Sequence, residues 1–366
     1  VTLWLYILRR FAVSVAIVQG VVLGLVLLFT GVENLRSLAR YQASAGDAAR
    51  LTVLETPGIL SQAFPLVLML GALVCFLGLS RSSELVVIRA SGVSALRSLV
   101  LPVLVALALG GFAVAVFNGI VVAAEDRADR LIDRLRGSPS DVLAFTGNSL
   151  WLRQGTDEGQ TVIQAERASG GGMELYNLRL HRYDPSGALV ERIEAARARL
   201  TPGEWLLSEA RIWPLDVTGS AALPPPRVAG VMALRTELTV DQIRENFAPP
   251  DAVPFWQLPA FIRQLEAAGF SAVRHRLFLQ SELARPLLFA AMVLIGAGFS
   301  MRHVRFGQTG VMILTAVLAG FSLYFLKDVS ESLGAAGTIP VVLAAWTPPL
   351  AAALLALALL LHLEDG

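Results

Sequence analysis

The chain has 366 residues, 55% hydrophobic and 16% charged, with a formal net charge of +1 and a mean hydropathy of +0.61. Soluble domains average about 25% charged residues, so this chain is depleted, and a net charge near zero offers no electrostatic footprint for nucleic acid. A single cysteine, Cys75, leaves no disulfide framework and no cysteine-based metal site.

Six stretches carry no Asp, Glu, Lys, Arg or His: 11–32, 56–80, 98–124, 286–301, 306–326 and 332–361. A spanning helix needs about 20 apolar residues, and all but 286–301 satisfy this directly. That stretch does so if its helix begins near Arg274. It is then about 42 Å long, and Glu282 and Arg285 stand near the membrane boundary. Phe11–Val32 reads as a span and not as a cleaved signal, since no small-residue cleavage site follows it. Arg9 and Arg10, then Arg81, Arg89 and Arg97, then Arg302 and Arg305 fall in alternate connections. The positive-inside rule places these, and both termini, in the cytoplasm. Segments 33–55, 125–273 and 327–331 then face the other side, with Arg36, Arg40 and Arg50 running against the bias.

The segment 81–94 lies between the second and third spans and is too short for a domain. It predicts one helix at the membrane surface. Ser80, Glu84 and Ser91 share a stripe, while Leu85, Val86, Ala90 and Val93 lie elsewhere, and Gly92 ends the segment as a C-terminal glycine does. One acidic residue among apolar neighbours suits docking into a partner's groove; a plain interfacial connector has the same pattern. Residues 125–136 continue the third span as a charged helix. Arg127, Arg130 and Arg134 form one stripe beside Asp126, Asp129 and Asp133, either a solvated, salt-bridged face or a contact for an anionic ligand leaving the membrane.

Residues 137–252 differ in kind. Asp184-Pro-Ser-Gly187 separates strand-like Leu178–Tyr183 from Ala188–Ala195, and Thr201-Pro-Gly-Glu204 separates Arg197–Leu200 from Trp205–Trp213. Ile163 and Ala165 alternate with Gln164 and Glu166. Gly170–Gly172 and Pro224–Pro226 read as loops. This is an all-β insert, an antiparallel sandwich or open jelly roll, acting as a slide, a docking edge or a rigid spacer. Residues 254–272 predict an amphipathic helix ending at Gly269, and 253–366 carry the last three spans.

The only lysine, Lys327, sits between Leu326 and Asp328, so no Gly-Lys-Ser/Thr phosphate loop exists and the chain is no ATPase. His181, His275, His303 and His362 are scattered, without zinc-protease spacing. No Gly-x-Ser-x-Gly elbow occurs, and no charged pair is expected buried within the spans to mark a proton relay, Glu282 with Arg285 at the interface being the nearest candidate. Three functions stay open on these residues. They are a transporter subunit moved by an outside engine, a scaffold or sensor with a ligand-binding β domain, and a lipid enzyme using Glu282 and Arg285 at the interface.

Ser82-Ser-Glu-Leu-Val-Val-Ile-Arg-Ala-Ser-Gly-Val-Ser94 resembles the coupling-helix motif of the LptF/LptG permeases of the lipopolysaccharide exporter. The order of three spans, β insert and three spans agrees. Leu150-Trp-Leu-Arg153, Arg285-Pro-Leu-Leu288 and Gly320-Phe-Ser-Leu-Tyr-Phe325 are also similar to the family's sequences. The resemblance covers essentially the whole chain, the coupling motif being its most specific part. The direct Arg81–Val87 run is closer to the LptG branch than to LptF.

The resemblance implies an α-helical integral membrane protein with six transmembrane helices (3+3) and an inserted periplasmic, jellyroll-like all-β domain. Its place is the inner membrane of a Gram-negative bacterium. It implies an LptB-like cytoplasmic ATPase dimer, an LptF-like paralogous permease, a single-span LptC-like jellyroll protein and lipopolysaccharide as partners, with no cofactor, metal or catalytic residue of the chain's own. Arg81, Ser83, Glu84, Arg89 and Gly92 would couple to the ATPase, Glu84 matching the family's acidic coupling residue. Arg36, Arg40, Arg127, Arg130, Arg134 and Lys327 would contact lipopolysaccharide. Glu33 and Asn34 stand where the LptG pattern has a lysine, so Arg36 and Arg40 take over that contact or it lies elsewhere.

Overall fold

The computed structural model describes residues 2–39, 44–136, 143–146, 149–156, 159–169, 174–201, 203–215, 225–236, 249–267, 271–301 and 309–365. They fall into two compact units. One comprises Val1–Arg136, Pro254–Trp256 and Arg276–Gly366, the other Gly137–Val253 and Gln257–His275.

In lipid a backbone must satisfy its own polar groups, which a helix does, and the apolar runs of the first unit are helices. In chain order α1 is Thr2–Ala39, α2 Ala45–Arg81, α3 Glu84–Ala90 and α4 Ala95–Phe112, continued by a π-turn, Ala113–Phe117, into α5, Asn118–Arg136. After the β unit come α6, Leu258–Ala267, then α7, Val273–Ser300, α8, Thr309–Ala335, and α9, Val341–Asp365. Among the described residues six helical stretches are long and apolar enough to cross a membrane. At 38 and 37 residues, α1 and α2 are each about 55 Å long, well beyond a hydrocarbon layer of about 30 Å. One pair of their ends packs with α5 through Leu38, Ala48, Leu51 and Ala128, so three helices continue together past the apolar layer. Ser44 starts α2 with a reciprocal cap: its hydroxyl accepts from the Asp47 amide, and Asp47 accepts from the Ser44 amide.

The most enclosed helix is α7, and α1 and α8 are the least. Leu68, Met69, Ala72 and Phe76 of α2 pack with Phe289, Ala291, Met292, Val293 and Ala297 of α7. A Cβ on Gly296 would lie 2.3 Å from the Met69 carbonyl oxygen, so the two backbones nearly touch there. In lipid this close approach, and not expulsion of water, supplies the attraction.

Two helix boundaries differ from the sequence reading. Residues 327–331, expected as a connection, lie inside α8. Lys327 and Glu331 make an i, i+4 pair at 2.8 Å that a helix accommodates. The chain turns instead at Gly337, φ +75°, inside the charge-free run 332–361, because Gly337 and Pro340 end a helix whatever their polarity. The helix expected over 254–272 begins only at Leu258, since Pro259 belongs in a first turn and not in an interior; residues 268–270 lie outside the described residues. Leu258, Ile262 and Leu265 are its buried face.

The π-turn has a partner. Its wider winding departs from the regular ladder, and the Trp256 indole N–H donates to the Ala115 carbonyl oxygen within it at 2.8 Å. The Phe255 amide donates to Asn118 Oδ1, also at 2.8 Å.

In the second unit seven antiparallel strands pair in chain order, β1 Leu143–Thr146, β2 Ser149–Thr156, β3 Gly159–Ser169, β4 Glu174–Tyr183, β5 Leu189–Thr201, β6 Glu204–Pro214 and β7 Arg227–Arg235. All described strands belong to this one sheet, the open form of the two expected. Leu152, Ile163, Leu180 and Ile193 stand in one cross-strand row on the buried face. Gln164, Arg179, Glu194 and Arg211 form a row on the other face. The two segments expected as separate strands, Ala188–Ala195 and Arg197–Leu200, are the single strand β5. The interruption at Ala196 is a slip in the alternation, and neighbouring strands share it. Leu175 and Leu178, Ala195 and Ala198, Leu207 and Ala210 are buried pairs three residues apart. Asn177 and Glu209 take φ of +53° and +57° to make the extra step.

Candidate functional site

The segment between α2 and α4 is built from its two ends. Ser83 and Gly92 hold left-handed φ of +58° and +84°, so the chain turns sharply on both sides of α3. At the C-terminal end the Val93 amide donates to the Ile88 carbonyl at 3.4 Å. This is the Schellman closure expected of Gly92. Beyond it the Ser94 hydroxyl accepts from the Arg97 amide at 3.2 Å and starts α4.

Between these turns α3 has two faces. Leu85 and Ile88 are buried in the core that also holds Ile7, Phe11, Phe76 and Leu99. Val86 and Val87 are 54% and 68% exposed, an apolar pair that the helical-stripe reading did not single out. Arg81 and Ser83 are also exposed. Arg89 lies in α3, and its side chain is outside the described residues.

Glu84 opens α3 and is tied to α1. The Tyr6 hydroxyl donates to Oε2 at 2.6 Å, Arg10 Nη2 to Oε1 at 3.1 Å and the Ser82 hydroxyl to Oε1 at 2.9 Å. Arg10 Nε donates in turn to the Tyr6 oxygen at 2.9 Å. The Tyr6 hydroxyl above all, then Ser82 and the Arg10 charge, hold the Glu84 carboxyl below the ordinary glutamate range. Tyr6, Arg10 and Ser82 were not identified from sequence. The available signal was the i, i+4 spacing of Tyr6 and Arg10, which puts both on one face of α1.

The basic candidates divide. Arg36, Arg127 and Arg134 are exposed on helices that the Leu38–Ala48–Leu51–Ala128 cluster holds together. Arg130 is exposed but pairs with Asp126 at 2.8 Å. Arg40 lies outside the described residues. Asn34 is buried and donates to Thr52 Oγ1 at 3.2 Å and Glu55 Oε2 at 2.8 Å, so it joins α1 to α2 and presents nothing to a ligand. Lys327 is drawn into another group of charges. Its partner Glu331 also accepts from Ser281 at 2.6 Å. Glu282, 2% exposed, pairs with Arg285 at 2.7 Å, and Arg285 donates to Ser61 at 3.3 Å. Within the helical unit Glu282 is buried and Arg285 half-buried, and Ser61 links the pair to α2. Among the described residues no group of three His, Cys, Asp or Glu is placed to hold a metal ion.

The profile of a family described as lipopolysaccharide export system permease LptF/LptG matches residues 5–362. The lipopolysaccharide export system permease protein LptG of Escherichia coli (strain K12) is 26% identical over 336 residues, 90% of each chain. The protein of the same name from Haemophilus influenzae is 22% identical over 332 residues, 89% of each chain.

Proposed function

The chain belongs to the LptF/LptG family of lipopolysaccharide export permeases, and from that membership we propose that it is the non-catalytic, LptG-like subunit of an ATP-driven exporter in the inner membrane of a Gram-negative bacterium. The observation that carries the ATP-driven part is α3. A seven-residue helix buries Leu85 and Ile88 and offers Val86, Val87 and an oriented carboxylate outward. An apolar ridge with one fixed charge suits a groove on a cytoplasmic protein, the ridge contributing contact area and the charge fixing register. In this reading α3 meets one copy of an LptB-like ATPase dimer. An LptF-like permease completes the core beside a single-span LptC-like protein, and the β unit is periplasmic. The exposed apolar sides of α1 and α8 face acyl chains, lipid or the paralogous permease. Lipopolysaccharide phosphates lie against Arg36, Arg127 and Arg134. Arg130 serves there only when it leaves Asp126, and Lys327, paired with Glu331, is withdrawn as a ligand.

The test is co-purification of the chain with its cell's ATPases, wild type against Glu84→Arg. Retention by wild type, with loss or uncoupling in the variant, is the expected result. An ATPase held and driven equally by both forms would remove Glu84 from the coupling surface.

A further inference from the structure

We infer that Tyr6 and Arg10 are positioning residues for the coupling carboxylate, and that through them α1 carries the ATPase stroke across the membrane. The inference rests on the coupling role proposed for Glu84. By covalent connection α3 moves only α2 and α4. The side-chain bonds add a third helix. One carboxylate oxygen takes the Tyr6 hydroxyl and the other takes Arg10 Nη2. Arg10 Nε donates back to the Tyr6 oxygen, and the guanidinium lies 5.4 Å from the Tyr6 ring centroid. Each group is held by the other two, so the carboxylate has one orientation. Ile7 and Phe11, on the same helix turns, share the core with Leu85 and Ile88. A displacement of Glu84 must take the start of α1 with it or break charge-assisted bonds.

What distinguishes α1 is its continuity. Pro57 and Pro65 interrupt the hydrogen-bond ladder of α2, and the α4–α5 path contains Pro102 and the π-turn. These are the positions at which helices bend. From Thr2 to Ala39 α1 has no proline and no break. Arg10 and Arg36 lie about 39 Å apart along it, one at the carboxylate and the other at the basic end. Of the three paths, α1 alone joins these ends without a proline or a π-turn. Tyr6 and Arg10 are its handle.

The experiment uses the whole exporter in proteoliposomes with rough lipopolysaccharide. A photo-crosslinking residue replaces the exposed Leu35, and crosslinking to lipopolysaccharide is read before and after ATP in wild type, Tyr6→Phe, Arg10→Gln and Glu84→Gln. With Tyr6→Phe or Arg10→Gln the complex should assemble and hydrolyse ATP. The ATP-dependent change at position 35 per ATP consumed should fall about tenfold, the scale of one hydrogen bond to a charge. Adding Tyr6→Phe to Glu84→Gln should lower it no further. A full response in the Tyr6→Phe/Arg10→Gln double variant, with Glu84→Gln defective, would overturn the inference and leave the coupling role of Glu84 intact. A normal response in Glu84→Gln would overturn both. A complex that falls apart in Tyr6→Phe and also in Arg10→Lys would make the pair merely structural, and that too would overturn it.

Discussion

Glu84 shows how one side chain acquires a property its sequence position does not contain. The Tyr6 and Ser82 hydroxyls and the Arg10 guanidinium all stabilise its ionised form, so its folded pKa lies below the unfolded one. A depressed carboxylate contributes fully above its unfolded pKa, and the contribution is lost as pH falls through the lower folded value. The difference in thermal midpoint between wild type and Glu84→Gln should therefore be constant from about pH 8 to about pH 5, and shrink only below about pH 4. A difference already shrinking near pH 6 would contradict the bonding at Glu84. Lys327 makes the opposite case. The family resemblance gave it a ligand role, yet its charge meets Glu331 on the next turn of its own helix. Asn34 likewise faces α2. A cation or amide is available to a ligand only where its own or a neighbouring helix has not already used it.

Among elements, the π-turn is the most informative. Nothing in Ala113-Val-Ala-Val-Phe117 distinguishes it from the apolar α-helix on either side. Its partner lies in the segment after the β unit, where Pro254–Trp256 returns to the helical unit and the Trp256 indole N–H donates to the Ala115 carbonyl of the turn. Trp256→Phe keeps an aromatic ring and removes the indole donor. We expect it to lower stability by about 1 kcal/mol, read as a reduced midpoint of detergent-solubilised protein, with Asn118→Ala close to additive because it breaks a separate bond. An unchanged midpoint would mean that the Ala115 carbonyl needs no partner. The slip in alternation across β4, β5 and β6 is also decided between elements. Asn177 and Glu209 adopt left-handed φ so that buried residues on either side of the slip return to one face.

At the scale of the whole chain, the helical unit is a bundle whose spans differ in enclosure, and the sheet, with its charged face, is inserted between the bundle's halves in sequence. Enclosed α7 and exposed α1 and α8 leave the bundle with apolar surface for lipid or other subunits. Its orientation can be tested on the chain itself, because the lone thiol, Cys75, is buried and leaves a quiet background. Single cysteines at the exposed positions Ser186, in the β4–β5 turn, and Ser91, after α3, should behave oppositely. In cells with a permeabilised outer membrane, an impermeant maleimide should label Ser186→Cys and spare Ser91→Cys until the inner membrane is opened. The reverse pattern would invert the topology and remove α3 from the reach of an ATPase.

Much of this was written locally. Charge-free runs set the six spans because lipid admits little else than a helix there. Asp184–Gly187 and Thr201–Glu204 set their turns by the backbone angles that Asp, Pro and Gly favour, and Gly92 closed α3 for the same reason. The Ser82–Ser94 segment resembles the LptF/LptG family by sequence alone, and the family profile matches residues 5–362. Tertiary structure decided which polar groups meet. That Glu84 answers to Tyr6 and Arg10, that Arg285 meets Ser61 and that Ala115 meets Trp256 all depend on contacts between residues far apart in sequence. Composition and periodicity say which face of a helix is polar; only packing says what stands opposite it.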